Sequence, residues 1–368
     1  MRAPAPRPVG PRRALATALL LLAVAAPAPG RAQGAAPWQG PGVAPQAAAA
    51  ERSAPVRVEA VAGVGLTVSD LARSVDFYTR VLDFERVTEL ERAGPAFERL
   101  VGVPGARARV ARLRLGDELL ELTEYVRPRG RPAPVGARSN DRGFQHVAVI
   151  VRDMEGAFAR LRRFGVRATS AAGPERLPDW NPAVRGIRAF YFRDPDGHPL
   201  EILQFPPGKG SARWHRPGDR LFLGIDHTAI VVRHTERSLA FYRDALGFAV
   251  AGGSENYGPE QERLSGVPGA HLRITTLRAS AGPGIEFLEY LAPRDGRPFP
   301  AGERANDLIH WHTRIVVPSA VLAAARLRAG GAALVSDGGV VRLDPSSDAR
   351  LALRVRDPDG HVLELLQP

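Results

Sequence analysis

Two glutamates sit where the surrounding pattern leaves a charge little choice but to do chemistry. Glu201 lies in RDPDGHPLEILQ, residues 193–204, and Glu364 lies in the near copy RDPDGHVLELLQ, residues 356–367. Each run opens with Asp-Pro-Asp-Gly, a tight-turn signature in which Pro presets φ and Gly closes the turn. The residues after the turn are strand-like and otherwise apolar, so with a period of two Glu364 shares a face with Val362 and Leu366, while His361 points the other way. A bare carboxylate on an apolar face costs on the order of several kcal/mol. It must be paired, protonated or bound to a metal, which makes both glutamates candidate ligands.

The near copy is one of several. Ser74–Tyr78 (SVDFY) matches Ser238–Tyr242 (SLAFY), and ERLVGVPGA from Glu98 matches ERLSGVPGA from Glu262. ELLELTEY ending at Tyr125 matches GIEFLEY ending at Tyr290, and Asn140-Asp141 matches Asn306-Asp307. The spacing between copies drifts by only a few residues, as loop insertions between fixed elements would make it, so the chain is a tandem duplication with one fold used twice.

Within each copy the elements alternate in the same way. A strand from Val58, a helix opened by Ser69 and Asp70, and strands near residues 108–115 and 118–125 form a β-α-β-β-β module. A second module has its strand from His146, a helix from Met154 closed by Gly165, and strands through 189–192 and 200–205. Pro206 to Arg220, with PPGKG and RPGD, reads as a linker. The second half repeats the plan from His227 and again from His312. The expected class is α+β, with four modules in two domains, 57–205 and 222–368, joined by 206–221.

Among the 368 residues, 44% hydrophobic and 24% charged content suits two ordinary globular cores and excludes a fibrous or membrane-spanning chain. Arg12-Arg13, an apolar run over 14–26 and the small-residue exit Gly30-Arg31-Ala32 have the order of a secretory signal peptide. Cleavage near Ala32 is expected, followed by a flexible Ala/Pro/Gly-rich spacer over 33–56, with the mature protein periplasmic or extracellular. Residues 1–32 carry five arginines and no acids, so the formal charge falls from +11 to +6 on their removal. The remaining arginines are scattered, which argues against nucleic acid as a partner. With no cysteine, thiol nucleophiles, thiolate ligands and disulfides are excluded.

The strand-opening histidine before an FY-bearing helix, the E-hydrophobe-x-x-Y strand and DPDG before a Glu strand together resemble the vicinal oxygen chelate superfamily, which includes glyoxalase I, extradiol dioxygenases and bleomycin resistance proteins. That resemblance implies curved half-barrel mixed sheets built from paired modules, with metal ligands on their first and last strands. Carried over, the first-strand histidines are His146, His227 and His312, with Gly63 where the first module should have one; the closing carboxylates are Glu121, Glu201, Glu286 and Glu364. The C-terminal half thus holds His227, Glu286, His312 and Glu364, and the N-terminal half a weaker set, Glu121, His146 and Glu201. If module two faces module three instead, the full set becomes His146, Glu201, His227 and Glu286. His310 competes with His312, two residues away on the same face, and Glu289 with Glu286 from the opposite face. His198 and His361 read as turn-adjacent surface or outer residues.

Two nitrogens and two carboxylates suit one divalent ion, Zn, Ni, Co, Mn or Fe(II). The resemblance implies a Lewis-acid role beside an enediolate, with Glu364 or Glu286 as base. The expected function is a metal-dependent lyase, isomerase or epimerase acting on a small oxygenated substrate. Glutathione is not expected as cosubstrate of an exported protein. A ring-cleaving dioxygenase, with His271 as its acid-base histidine, is the alternative, and a non-catalytic small-molecule-binding protein the third.

Overall fold

Strands form where apolar runs are bounded by turn residues, and each module closes by laying its last strand beside its first. The computed structural model describes residues 55–345 and 347–368. The stretch 1–32 expected to be a leader and nearly all of the expected spacer, 33–56, lie outside the described residues. The spacer's last residue belongs to the fold, since Val56 N donates to Ala245 O at 2.9 Å.

The first module runs β1 (Ala60–Thr67), the helix Leu71–Leu82, β2 (Glu85–Ala93), the short helix Pro95–Val101, β3 (Arg107–Leu115) and β4 (Glu118–Arg127). The second has β5 (Gln145–Val151), the helix Met154–Arg163, β6 (Arg167–Ala168), β7 (Glu175–Arg176), β8 (Arg188–Arg193) and β9 (Pro199–Gln204). The third has β10 (Phe222–Val231), the helix Thr235–Leu239 continued as a π-turn over Ala240–Ala245, β11 (Ala249–Tyr257), the helix Pro259–Ser265, β12 (His271–Arg278) and β13 (Gly284–Ala292). The fourth has β14 (Trp311–Val316), the helix Ala320–Ala329, β15 (Val341–Arg342), β16 (Leu351–Arg356) and β17 (Val362–Gln367). The edge strands β2 and β11 escape a reading by hydrophobicity because their residues are mostly exposed.

The modules pair across the duplication. One sheet has the order β15-β16-β17-β14-β1-β4-β3-β2, joining modules one and four; the other has β11-β12-β13-β10-β5-β9-β8-β6, with β7 against β8, joining modules two and three. The first strands meet antiparallel at each centre, β1 with β14 and β5 with β10. The helices of each half nevertheless pack into one shared cluster, to which the other half adds residues: Phe222, Ile225 and Trp311 to the first, Val58 and Val61 to the second. Leu71, Tyr78, Met154 and Leu161 share one apolar cluster, and Leu239, Tyr242, Ala323 and Leu327 share another.

The repeated motifs bond to each other, which is why they recur together. Tyr78 Oη donates to Asp194 Oδ2 at 3.2 Å, and Tyr242 Oη to Asp357 Oδ2 at 3.2 Å, so the FY helix of each half is tied to that half's DPDG turn. The turn aspartates accept the backbone N–H groups of the residues after them, those of His198 and His361 included. Both histidines are buried and not surface residues, His198 because its ring bridges Asp194 and the Leu308 carbonyl at 2.8 and 2.9 Å.

Candidate metal centre

At the middle of the second sheet, β5 and β10 run antiparallel with Ala229 opposite His146, and each is flanked in parallel by its closing strand, β9 or β13. Side chains on the concave face therefore converge. His146 Nε2 lies 3.2 Å from Glu201 Oε2, His227 Nε2 lies 3.6 Å from the same oxygen, and His227 Nε2 lies 3.4 Å from Glu286 Oε2. His146, Glu201 and His227 can each offer a ligand atom within 4.8 Å of the others.

The electrostatics are those of a cation site. Both ring nitrogens of the buried His146 lack a hydrogen-bond partner, even though a carboxylate oxygen stands close to one of them. An orphaned imidazole in a buried acidic site fits a divalent ion, with neutral nitrogen and ionised oxygen donors. Burial pushes Glu201 upward, but His146 and His227 overcome it and hold its pKa below the usual carboxylate range. Burial works to lower His227, yet Glu286, Asp226 and Glu201 raise it well above an ordinary histidine, so the site attracts positive charge.

An outer ring fixes these donors. His227 Nδ1 lies 3.1 Å from Asp226 Oδ2, which leaves Nε2 facing the centre. Asp226 is in turn held by Arg278 at 3.0 Å and by the indole N–H of Trp214 at 3.2 Å. Trp214 lies in the stretch read as a linker; it is buried, and it reaches the site. Thr276 Oγ1 donates to Glu286 Oε1 at 2.9 Å, and Tyr191 stands opposite Glu201 across β8 and β9. Sequence reasoning missed all five of these residues. The signals were faint: an acid directly before His227, and cross-strand positions that only a register reveals. A cavity of about 400 Å³ opens over the centre, walled by Leu177, Ile187, Leu264 and Leu288, with Gln261 reaching in from the helix Pro259–Ser265.

The family model of the Glyoxalase/Bleomycin resistance protein/Dioxygenase superfamily matches residues 60–202 and 224–365. The chain belongs to that superfamily. A 2-epi-5-epi-valiolone epimerase from an Actinomyces species is 38% identical over 155 residues, spanning 40% of this chain and 81% of that protein. Glyoxalase I from Zea mays shares the fold at a TM-score of 0.55 and 16% identity, over 84% of this chain and 92% of its own.

The sheet of modules one and four shows what the superfamily site becomes when its charges change. His227 and Glu286 belong to the centre just described, so the expected C-terminal set of His227, Glu286, His312 and Glu364 does not converge. His312 and Glu364 face Glu121 instead. His312 Nε2 lies 3.9 Å from Glu364 and 4.0 Å from Glu121. Three guanidinium groups crowd the two glutamates. Arg354 Nε donates to Glu364 Oε2 at 2.8 Å, Arg314 Nε to Glu364 Oε1 at 3.1 Å, and Arg112 Nε to Glu121 Oε2 at 2.9 Å. Opposite the glutamates, Arg354 and Arg112 stand where the other sheet has Tyr191 and Thr276.

This second set does not fit a cation. Burial and then Arg354 hold the His312 pKa well below the ordinary value. Burial raises Glu364, but Arg354, His312 and Arg314 drive it far below the carboxylate range, so its charge is already neutralised. Nor can a ligand be restored at Gly63, whose φ is 148° and where an added Cβ would stand 2.5 Å from the Leu119 carbonyl oxygen, leaving no room for a side chain. His310 turns away to Glu303, 2.6 Å from its Nδ1. Glu289 caps the third-module helix, accepting from Thr235 N at 3.1 Å. His271 sits at the sheet edge with Glu255, at 2.6 Å.

Proposed function

We propose that this protein is a divalent-metal-dependent epimerase or isomerase that moves a proton on a carbon next to a carbonyl in a small oxygenated substrate. The observation that carries the reading is the convergence of His146, Glu201, His227 and Glu286, with both His146 nitrogens unpartnered, beneath a cavity of about 400 Å³. The epimerase relative supports the reaction class. In this reading all four residues hold the ion, and the ion when bound supplies Lewis acidity toward a carbonyl oxygen.

The chain's own residues do the rest. Glu286 is the proton-transfer group, because its side chain keeps 19% of its surface open to the cavity while Glu201 keeps only 4%. The Thr276 hydroxyl orients one Glu286 oxygen and leaves the other free. Asp226 holds the His227 Nδ1 proton, fixing the tautomer. Burial, then Glu201, raise the Tyr191 pKa well above that of a free phenol, so it remains a neutral hydrogen-bond donor beside the substrate.

A ring-cleaving reading has Tyr191 in its favour, opposite Glu201 across β8 and β9. It lacks the acid-base histidine: among the described residues the only histidines lining this cavity are His146 and His227. Export is part of the proposal, on the strength of the leader pattern in residues 1–32. The test is NMR of an inosose or dihydroxyacetone in heavy water with the metal-loaded protein. Deuterium should enter at the carbon next to the carbonyl, and Glu286→Gln should abolish it. Catechol cleavage without any exchange would overturn the reading in favour of the dioxygenase.

A further inference from the structure

The duplication supplies its own control for a second cavity, about 640 Å³, that lies apart from the metal centre between the loop 133–144 and the turn after β8. In the fourth module the equivalent place is closed. Arg356 there donates to the carbonyls of Gly360 and Glu303, each at 2.8 Å, and also to the Glu303 carboxylate. The Phe299 ring covers it, 6.0 Å from the guanidinium carbon and edge-on to His361 at 5.4 Å.

Arg193 repeats only the backbone part of this arrangement. Its two bonds go to the carbonyls of Gly197 and Ala137, at 2.9 and 3.0 Å. The frame is secure, because Arg131 pairs with Asp307 and Arg297 with Asp141 in mirrored fashion. On that frame Ala137 stands for Glu303 and Ala133 for Phe299. Counting from Gly165 and Gly331, which both close their helices with positive φ, Arg167 stands for Ala333. One half has thus lost a carboxylate and a ring, and has gained a guanidinium.

Neither acid in the cavity wall compensates. Asp141 is taken by Arg297, and Asp196 by Ser69 and Arg73. Asp194, next in sequence, is engaged by His198 and Tyr78. Among the described residues no carboxylate pairs with Arg193 or Arg167. Burial and then the neighbouring Arg167 press the Arg193 pKa below its usual value, and the nearby Asp194 charge does not make up the difference. The rest of the wall is largely apolar, with Phe144, Pro199, Leu308, Ile309 and Trp311, and the two charged or polar groups left in it are engaged, Arg138 by Asp295 and His198 by Asp194.

We propose that this cavity binds a small organic anion, an apolar carboxylate whose acid group takes the place that Glu303 fills in the other half and whose hydrocarbon body takes the place of Phe299. A guanidinium makes charge-assisted hydrogen bonds to a carboxylate, and a pocket with a cationic anchor and largely apolar walls selects an amphipathic acid over a bare ion.

Calorimetric titration of the full chain with 3-phenylpropionate tests it. One molecule should bind per chain, and the neutral 3-phenylpropanamide should bind at least tenfold more weakly. Arg193→Met should lose at least tenfold. Ala137→Glu should lose the ligand equally without lowering the melting temperature, because the new carboxylate pairs with Arg193 as Glu303 pairs with Arg356. Equal binding of acid and amide, undiminished binding by Ala137→Glu, or no binding of the acid to the wild type would each overturn the assignment.

Discussion

Replacing His146 or His227 by leucine tests both as metal ligands and tells them apart in the metal-free protein, because the two rings are held differently. His227 is surrounded by acids, with Asp226 at 3.1 Å, Glu286 at 3.4 Å and Glu201 at 3.6 Å. Its loss leaves the buried Asp226 and Glu201 and the half-buried Glu286 facing one another, and breaking a buried pair in this way costs about 3–5 kcal/mol. His146 has no hydrogen bond at either nitrogen. Removing it relieves an unsatisfied polar group worth about 1–3 kcal/mol, against the loss of its contact with Glu201. Without metal, His146→Leu should therefore stay within about 1 kcal/mol of the wild type, while His227→Leu falls well below. Saturating metal, at about a hundredfold over Kd, should stabilise the wild type by about 2.7 kcal/mol. At an unfolding entropy of about 2.1 cal/mol/K per residue over roughly 300 residues, that is a rise of about 4 °C in Tm. Both variants should lose that rise. Differential scanning calorimetry after chelation and reloading with Zn, Ni, Co, Mn or Fe(II) reads all of these values. A full metal-induced shift retained in His146→Leu would refute the assignment of this histidine, and no shift with any ion in the wild type would refute the centre.

Three further outcomes rest on the same geometry. Metal analysis of the purified chain should find about one ion, unchanged by His312→Leu, and Glu364→Gln should lower unfolding stability by about 3–5 kcal/mol, because Arg314 and Arg354 lose their buried counter-charge; two ions per chain would show that the arginine-filled site accepts metal. Asp226→Asn should weaken metal affinity by about 10–100-fold with little effect on the fold, as measured by competitive chelator titration. The buried Asp194–His198 pair sets a pH window: despite burial, Asp194 is lowered by His198 and His198 is raised by Asp194. Its stabilisation is complete below the unfolded histidine value of about 6.5, is lost as pH rises through the higher folded value, and fades again when Asp194 is protonated in acid. The stability gap between wild type and His198→Asn should accordingly narrow as pH is raised above about 6.5; a gap that widens would reverse the sign.

The local sequence was enough to determine the modules. Turn chemistry at DPDG, the capping residue Asp70 and the apolar runs that carry Glu201 and Glu364 act over a few residues, so they could be read directly, and duplication confirmed each reading by a second copy. Which modules pair was decided only in three dimensions. The first strands β1, β5, β10 and β14 are nearly all buried on both faces, and any two could meet antiparallel as far as their own patterns say. Pairing two with three moved His146 and Glu201 from the weaker set into the complete centre and removed His312 and Glu364 from it. Arg314 and Arg354 were likewise opaque, since an arginine in a strand ordinarily reads as a solvent-facing position. They turn inward only because Glu121 and Glu364, from strands far apart in sequence, supply the counter-charge that makes a buried guanidinium tolerable. Gly63 was the one local sign that this second set departs from the first, and the arginines that fill it became visible only once the sheet was assembled.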